Sequence, residues 1–149
     1  VKKFCNPILK KLEESKCKIY GDQFLKKYFK GKIYKAKEKD WSKEYLSPIV
    51  SVKCVHNCNE AIYHINKYGT MHTDCIITKN NLTAKKFLKN VKSSIAIHNA
   101  STQFADGGEF GFGGEVGIST SNLAPRGPVG LKQLVSYKYE IIGNGQIRK

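Results

Sequence analysis

The residues best suited to chemistry lie in one glycine-rich stretch, from Asn99 to Gly130. Its charged side chains, Asp106, Glu109, Glu115 and Arg126, can form hydrogen bonds with a charged ligand. The glycines between them allow positive φ values or close approach to a ligand: Gly107, Gly108, Gly111, Gly113, Gly114, Gly117, Gly127 and Gly130. A flexible linker is the alternative, but linkers rarely carry so many apolar residues as Phe104, Phe110, Phe112, Val116 and Ile118. We interpret the stretch as a functional loop.

A second set of reactive side chains lies in the segment CVHNC, from Cys54 to Cys58. Its two thiols and His56 are zinc-ligand types, but a structural zinc site needs a fourth ligand. With Cys5, Cys17 and Cys75 there are five cysteines in all. An odd number without disulfide-scaffold density is typical of reduced thiols. We expect buried free cysteines and no metal.

The chain carries a formal net charge of +14, from 26 Lys and Arg against 12 Asp and Glu. Such an excess raises the question of nucleic acid. The lysines are spread from Lys2 to Lys149, however, and no base-reading module is visible, so no nucleic-acid partner is expected. No apolar run approaches the ~20 residues of a membrane span, and the lysine-rich start has no signal-peptide core. These features predict a single cytoplasmic domain.

The elements that must position the glycine-rich stretch follow from the spacing of apolar residues. Cys5 to Lys16 is predicted as a helix, with Asn6 as N-cap and Pro7 in the first helical position. A short strand is predicted from Lys18 to Tyr20. The lysine-rich segment from Gln23 to Lys39 is ambiguous.

Strands and helices alternate in the middle of the chain. Strands are predicted at Ile49 to Val55, Asp74 to Thr78 and Ser94 to His98. One helix begins after Asn57 or Asn59 and ends at Gly69, and another has Thr83 as its N-cap. The order β-α-β-α-β predicts an α/β fold with parallel strands. Ligands in such folds bind beyond the carboxyl ends of strands, where Asn99 begins the glycine-rich stretch.

The chain after the third strand lacks a dinucleotide-binding fingerprint. The run GEFGFGG is not followed by a helical pattern, and a fingerprint requires one. Further on, Leu134 to Ile142 alternates apolar and polar residues, which predicts a half-buried or edge strand. Such a terminal strand could pair with another subunit.

Four stretches carry a resemblance to a known family: NASTQFADGGEFGFGGEVGISTSNLAPRGPVGL, KEYLSPIVSVKCV, EAIYHINKYGTMHTDCIIT and the closing LVSYKYEIIGNGQIR. In them the sequence resembles the gamma-glutamyl phosphate reductases, also called glutamate-5-semialdehyde dehydrogenases, of the aldehyde dehydrogenase superfamily. The resemblance covers most of the chain. Cys5 to Asp22 looks like the helix and strand that follow the family's catalytic-cysteine region. It therefore implies that the nucleophilic cysteine lies upstream and that no catalytic residue lies in this chain.

The resemblance also implies a division of the chain. Residues 1–130 would be the C-terminal part of a parallel-sheet catalytic domain, with a cofactor-facing segment at 41–48 and a substrate loop at 99–130. Residues 131–149 would be a C-terminal helix and strand segment of the oligomerisation type. In the full-length protein this segment would lie between the subunits of a homodimer or homotetramer.

The activity that the resemblance implies is NADPH-dependent reduction of gamma-glutamyl phosphate to glutamate 5-semialdehyde, with release of phosphate, in proline biosynthesis. A thiolate would attack the acyl phosphate, and hydride transfer would follow a thioester intermediate. Functional coupling to glutamate 5-kinase is a further expectation. Without its thiol this chain should be inactive alone. The alternative is a non-catalytic binding or assembly module derived from the same fold.

Individual residues take their expected roles from the same resemblance. Glu44 would accept hydrogen bonds from a ribose hydroxyl of the NADP cofactor; otherwise it is a solvated carboxylate. Asn99, Ser101 and Thr102 would line the substrate tunnel, or else cap a turn after the third strand. Arg126 would bind a carboxylate or phosphate, or else form a salt bridge to Glu115 or Glu109.

Three further positions remain open between a functional and a structural role. His72-Thr73-Asp74 matches a family motif, but it is also ordinary chemistry for the start of a strand. His98 is expected to be a structural residue on a strand face. Gln103 stands where many family members have arginine, which lowers the positive charge near the expected substrate site.

Overall fold

A computed structural model describes residues 2–148. The helices in this range are Lys2–Glu14 (α1), Cys58–Tyr68 (α2) and Asn81–Asn90 (α3). The strands are Lys18–Gly21 (β1), Ile33–Lys35 (β2), Ile49–Val52 (β3), Thr73–Ile76 (β4), Ile95–His98 (β5), Gly117–Ser119 (β6) and Gly127–Val129 (β7). Short 3-10 helices lie at Leu25–Lys27, Glu38–Asp40, Thr102–Phe104 and Leu131–Gln133.

Two parallel sheets form the frame of the chain. β1 lies between β2 and β3, with Ile19 opposite both Ile33 and Val50. β4 and β5 form a separate parallel pair, and β6 and β7 form an antiparallel pair. The α/β fold with parallel strands is confirmed. The β-α-β-α-β run is nevertheless divided between two sheets, because β3 pairs with β1 rather than with β4.

The first sheet has its own core. Leu9, Ile19, Leu25 and Phe29 are buried together, and Cys5 and Leu12 of α1 pack against them. Cys5, Leu9 and Leu12 follow one another at four and three residues, the spacing of one helix face. Burial of each large apolar side chain contributes about 1.5–3 kcal/mol. This packing holds α1 against one face of the sheet.

The start of α1 differs from the prediction. The helix begins at Lys2, so Asn6 is not its N-cap and Pro7 lies inside the helix. Cys5 lies on the same core-facing side as Leu9 and Leu12, so the helical pattern of apolar residues extends upstream of Pro7. Ile8, which precedes the buried Leu9, is 58% exposed.

The second sheet is covered by α2 and α3, which bury Ile62, Phe87 and Val91 together. The prediction of Asn57 as the N-cap of α2 is confirmed, since its Oδ1 accepts from the Glu60 N–H at 3.0 Å. The prediction of Thr83 as a cap is wrong. Asn80 caps α3, and its Oδ1 accepts from the Thr83 N–H at 2.9 Å. Thr83 is therefore the donor of the cap rather than its acceptor.

The predicted strand at Leu134 to Ile142 is not formed in this structure. A strand needs a neighbour to bond its backbone groups, and within residues 2–148 none pairs with this segment. Tyr137 and Tyr139 are each 83% exposed, and Ile141 is 92% exposed. The segment therefore has the alternating pattern of a strand, but no described strand pairs with it. None of the described helices is long and apolar enough to cross a membrane.

Candidate functional site

An open depression of about 620 Å³ lies between the two sheets. Glu44 contributes a carboxylate to it, and the other side chains come from the start of β4, the turn after β5 and the end of β6. Four of them are threonines, and the others are a histidine and an alanine: Thr70, His72, Thr73, Thr102, Ala105 and Thr120. The structure thus brings together Glu44 and Thr102, which sequence analysis selected for cofactor and substrate respectively.

Glu44 sits on a segment that is anchored on both sides. The Tyr45 hydroxyl donates to Asp40 Oδ1 at 3.0 Å and lies 2.9 Å from Ser51 Oγ. Ser51 Oγ in turn donates to the backbone carbonyl of Asp40 at 3.0 Å. Asp40 is buried, and the hydrogen bond from the Lys37 N–H lowers the pKa of its carboxyl group. A charged acceptor therefore fixes Tyr45, and with it the backbone that carries Glu44.

The Glu44 carboxylate itself is exposed. Within residues 2–148 it forms no ion pair. Both of its oxygens are therefore available as acceptors for hydroxyl groups of a ligand.

Asn99 reverses the chain direction after β5. Its φ is +55°, in the left-handed region that asparagine tolerates better than most residues. Its side chain accepts from the Thr78 N–H at 2.8 Å and donates to the Thr78 carbonyl at 2.8 Å. Asn99 thus ties the exit of β5 to the segment that follows β4, and its amide group is engaged in the fold.

Ser101 begins the short helix that carries Thr102. Its Oγ accepts from the Gln103 N–H at 3.2 Å. Asn99 and Ser101 therefore form the turn and cap that sequence analysis gave as the alternative to their lining roles. Thr102 is the member of the trio that borders the depression.

We expect substitutions at Asn99 to separate backbone strain from hydrogen bonding. Asn99→Gly keeps the left-handed turn but loses both contacts to Thr78, which should lower the free energy of unfolding by about 1–2 kcal/mol. Asn99→Ala also strains the turn and should lose roughly a further 1 kcal/mol. Urea unfolding of the two variants measures the difference. Equal stability of the glycine and alanine variants would contradict the strain argument.

Arg126 lies away from the depression. Its Nη2 donates to the Lys92 carbonyl, and its Nε is 3.5 Å from Ser94 Oγ. It borders a separate hollow of about 400 Å³ with Phe110 and Phe112. Among the described residues it has no ion pair with an acidic residue, so the salt bridge to Glu109 or Glu115 is not formed.

The acidic side chains of the glycine-rich stretch organise the stretch itself. Glu115 accepts from the Gly107 N–H at 2.6 Å, and Asp106 accepts from the Gly108 N–H at 3.0 Å. Gly113 has a φ of +79°, which glycine adopts without strain. These carboxylates therefore act as internal hydrogen-bond acceptors.

The cysteines do not lie in a cluster of possible metal ligands within the described residues. No group of three possible ligands occurs among residues 2–148. Cys54 packs against the core of the first sheet, and burial, followed by the Asp22 charge, raises the pKa of its thiol to about 11. Burial also raises the pKa of the Cys5 thiol. Cys75 donates to the Ala100 carbonyl at 3.2 Å. The prediction that the cysteines are free is confirmed, but the prediction that they are buried is wrong, since all five are half-buried.

Cys54 should react slowly with iodoacetamide at neutral pH, because the thiolate is the nucleophile and a raised pKa keeps the thiol protonated. Its labelling rate should rise about tenfold for each pH unit until the pH reaches about 11. Peptide mass spectrometry of all five cysteines measures this site by site. The Cys54→Ser variant identifies the slow peptide. Rapid labelling of Cys54 at neutral pH would contradict the structure.

Comparison of the chain with known proteins identifies its family. The sequence profile described as the aldehyde dehydrogenase family matches residues 32–139, which is most of the chain. The chain belongs to the aldehyde dehydrogenase family. A solved member of that family from Thermotoga maritima, a gamma-glutamyl phosphate reductase, matches the structure with a TM-score of 0.91 and 40% identity. That match covers 99% of this chain and 36% of the other.

Relatives in the aldehyde dehydrogenase family agree with the structural match. A gamma-glutamyl phosphate reductase from Methylocella silvestris is 50% identical over 142 residues, which cover 95% of this chain and 33% of the relative. One from Clostridium beijerinckii is 49% identical over 148 residues, or 99% and 36% of the two chains. The chain therefore spans about a third of the length of the curated relatives that it matches.

Part of the wall of the depression was not predicted from the sequence. Thr70 and Thr120 were not selected individually, although both lie in stretches that carry the family resemblance and Thr120 lies in the predicted substrate loop. His72 and Thr73 were noted but left open. In the structure the His72 Nδ1 is 2.7 Å from Thr73 Oγ1, and both residues border the depression. Their family motif was the signal that favoured a site.

Proposed function

We propose that the chain is the C-terminal part of a gamma-glutamyl phosphate reductase. The reaction would be NADPH-dependent reduction of gamma-glutamyl phosphate to glutamate 5-semialdehyde with release of phosphate, within proline biosynthesis. The observation that carries this proposal is that relatives with this name are 49–50% identical over 95–99% of the chain. Identity at that level along nearly the whole chain supports a shared reaction.

NADP is the cofactor in this proposal, and Glu44 is the residue that would hold it. The fit rests on the Glu44 carboxylate, which is exposed on the wall of the depression with both oxygens free to accept from ribose hydroxyls. When bound, the cofactor supplies the hydride. The contribution of this chain is to orient the ribose through Glu44, whose backbone is fixed by Tyr45.

Thr102 is proposed to line the substrate site beside Glu44. Its hydroxyl borders the same depression, whereas Asn99 and Ser101 would act by holding its turn in place. Arg126 would bind the substrate carboxylate or phosphate only after it breaks its hydrogen bond to the Lys92 carbonyl. We propose residues 41–48 and 99–130 as the cofactor and substrate segments of a catalytic portion at 1–130.

The nucleophilic thiol in this proposal comes from outside the chain. None of the cysteines lines the depression, and the raised pKa values of Cys5 and Cys54 keep those thiols protonated. The chain alone is therefore expected to be inactive.

A hybrid enzyme tests the proposal. In the Clostridium beijerinckii reductase, the matching segment would be replaced by this chain, joined to the remainder of that relative. Activity would be measured in the reverse direction, as phosphate-dependent reduction of NADP⁺ by glutamate 5-semialdehyde, from the absorbance of NADPH. The remainder without this chain is the control. A folded hybrid that reduces no NADP⁺ would overturn the proposal.

A non-catalytic assembly module is the second candidate, and one observation favours it. Residues 131–148 expose an alternating apolar and polar segment that no strand within the described residues receives. Such a segment suits strand pairing with a second copy, in a homodimer or homotetramer. Under this reading the isolated chain would self-associate in sedimentation experiments, and the folded hybrid would be inactive.

A further inference from the structure

A second cavity of about 620 Å³ opens at the carboxyl ends of the strands of the first sheet. It lies beside Gly21, Lys35 and Lys53, which end or directly follow β1, β2 and β3. It shares no lining residue with the depression that contains Glu44. In open α/β sheets this position is a preferred place for ligands.

The charge balance of the cavity is positive. Lys26, Lys35 and Lys53 line it, and none of them forms an ion pair with a carboxylate in residues 2–148. The two carboxylates in its wall belong to Asp22 and Glu60. Both are already occupied by donors of the protein.

Asp22 accepts from three backbone N–H groups. Its Oδ1 takes those of Phe24 and Leu25, each at 3.0 Å, and its Oδ2 takes that of Cys54 at 2.8 Å. Glu60 Oε2 accepts from the His56 N–H at 2.9 Å and lies 3.0 Å from His56 Nδ1. The hydrogen bond from the His56 backbone lowers the pKa of the Glu60 carboxyl group. The acidic groups are thus hydrogen-bonded within the fold. The Lys53 Nζ lies 3.3 Å from His64 Nδ1, so within residues 2–148 Lys26 and Lys35 supply the ammonium groups that remain for a ligand.

Aromatic and aliphatic side chains complete the cavity. Phe24, Ile33, Ala36 and Trp41 line it. The Trp41 ring is held edge-on against His64, with ring centroids 5.4 Å apart at 78°. The Lys53 Nζ lies over the Trp41 ring, 5.8 Å from the ring centroid, so this aromatic surface accepts a cation. Aromatic surface near the ammonium groups of Lys26 and Lys35 suits a ligand that joins a planar ring to negatively charged groups.

We propose that this cavity binds a nucleoside phosphate, with the phosphoryl groups at Lys26 and Lys35 and the base against Trp41. Its volume of about 620 Å³ falls within the range of small-molecule sites. The site is separate from the Glu44 depression and does not depend on the reaction proposed for it. Occupancy would bridge the strand ends of the first sheet.

The test uses ADP as the probe and the fluorescence of Trp41, which is the one tryptophan of the sequence. ADP should change the fluorescence saturably. Adenosine and inorganic phosphate, added separately, should each bind at least about tenfold more weakly, since each lacks one set of contacts. Lys35→Gln and Lys26→Gln should each weaken ADP binding by about tenfold. Lys10→Gln, an exposed lysine on α1, is the matched control and should leave binding unchanged.

Several results would overturn the proposal. One is the absence of a saturable change with ADP in a chain whose circular dichroism shows the fold. Another is equal weakening by Lys10→Gln and Lys35→Gln, which would indicate charge attraction without a site. Binding of phosphate as tight as that of ADP would exclude the role of the base. A further such result is that ADP binds to the chain alone but not to a folded hybrid enzyme. It would show that the rest of the longer protein covers the cavity.

Discussion

Replacing Phe87 with alanine is expected to lower the free energy of unfolding by about 3–5 kcal/mol. Phe87 is 2% exposed and packs with Ile62 and Val91 between α2, α3 and the second sheet. Removal of its ring forfeits the burial of a large apolar surface and leaves a cavity that the backbone cannot close. Urea unfolding followed by circular dichroism measures the loss.

Phe104→Ala is the matched control for this prediction. The same atoms are removed, but Phe104 is 55% exposed. Its replacement should therefore cost less than about 1 kcal/mol. If the two variants lost equal stability, the packing of α3 against the second sheet would be wrong. If Phe87→Ala fails to fold, Phe87→Leu should still fold with a smaller loss, because it retains most of the buried volume.

The largest expected effect on activity comes from Glu44→Gln. In the hybrid enzyme, kcat/KM for NADP⁺ should fall by about ten- to a hundredfold, because an amide accepts a weaker hydrogen bond than a carboxylate. The KM for glutamate 5-semialdehyde should change much less, since Glu44 is proposed to contact the cofactor. Steady-state kinetics with each substrate varied in turn separate the two effects.

Glu14→Gln is the control for this second prediction. Glu14 also carries an exposed carboxylate, but it lies at the end of α1 and forms a surface pair with Lys11. Its replacement should leave both kinetic parameters unchanged. Equal kinetics of Glu44→Gln and the parent hybrid would remove Glu44 from the proposed site while leaving the proposed reaction intact.

The parts of the fold that sequence analysis predicted are those determined by local chemistry. The N-cap at Asn57, the end of α2 at Gly69 and the parallel pairing of β4 with β5 follow from capping residues and apolar spacing. Local signals failed where two residues compete for one role. Asn80 and Thr83 are both good caps, and the choice between them depends on where the preceding chain leaves β4.

Pairing between distant segments was not predictable in the same way. β2 lies in a lysine-rich segment without a clear pattern, yet it adds to β1 because Ile33 reaches Ile19 across the sheet. The segment from Leu134 to Ile142 shows the reverse case. Its alternation is clear, but a strand also needs an edge to pair with, and the described residues provide none. Whether either segment forms a strand therefore depends on the three-dimensional arrangement of the chain.

The candidate site was predictable in part for the same reason. Glu44 and Thr102 were selected by family resemblance, which carries information about spatial neighbours. Thr70 and Thr120 are far apart in the sequence and come together at the depression only in the folded chain. Arg126 was selected for its chemistry, but the end of α3 offers it the Lys92 carbonyl.

The depression lies across a seam between two separately packed cores. Glu44 belongs to the side built on β1 and β3, whereas Thr73 and Thr102 belong to the side built on β4 and β5. A small rotation of one side against the other would change the separation of Glu44 from Thr102 without disturbing either core. A molecule that spans the depression would therefore act as a clamp. Its binding should slow amide hydrogen exchange in seam residues that it never touches.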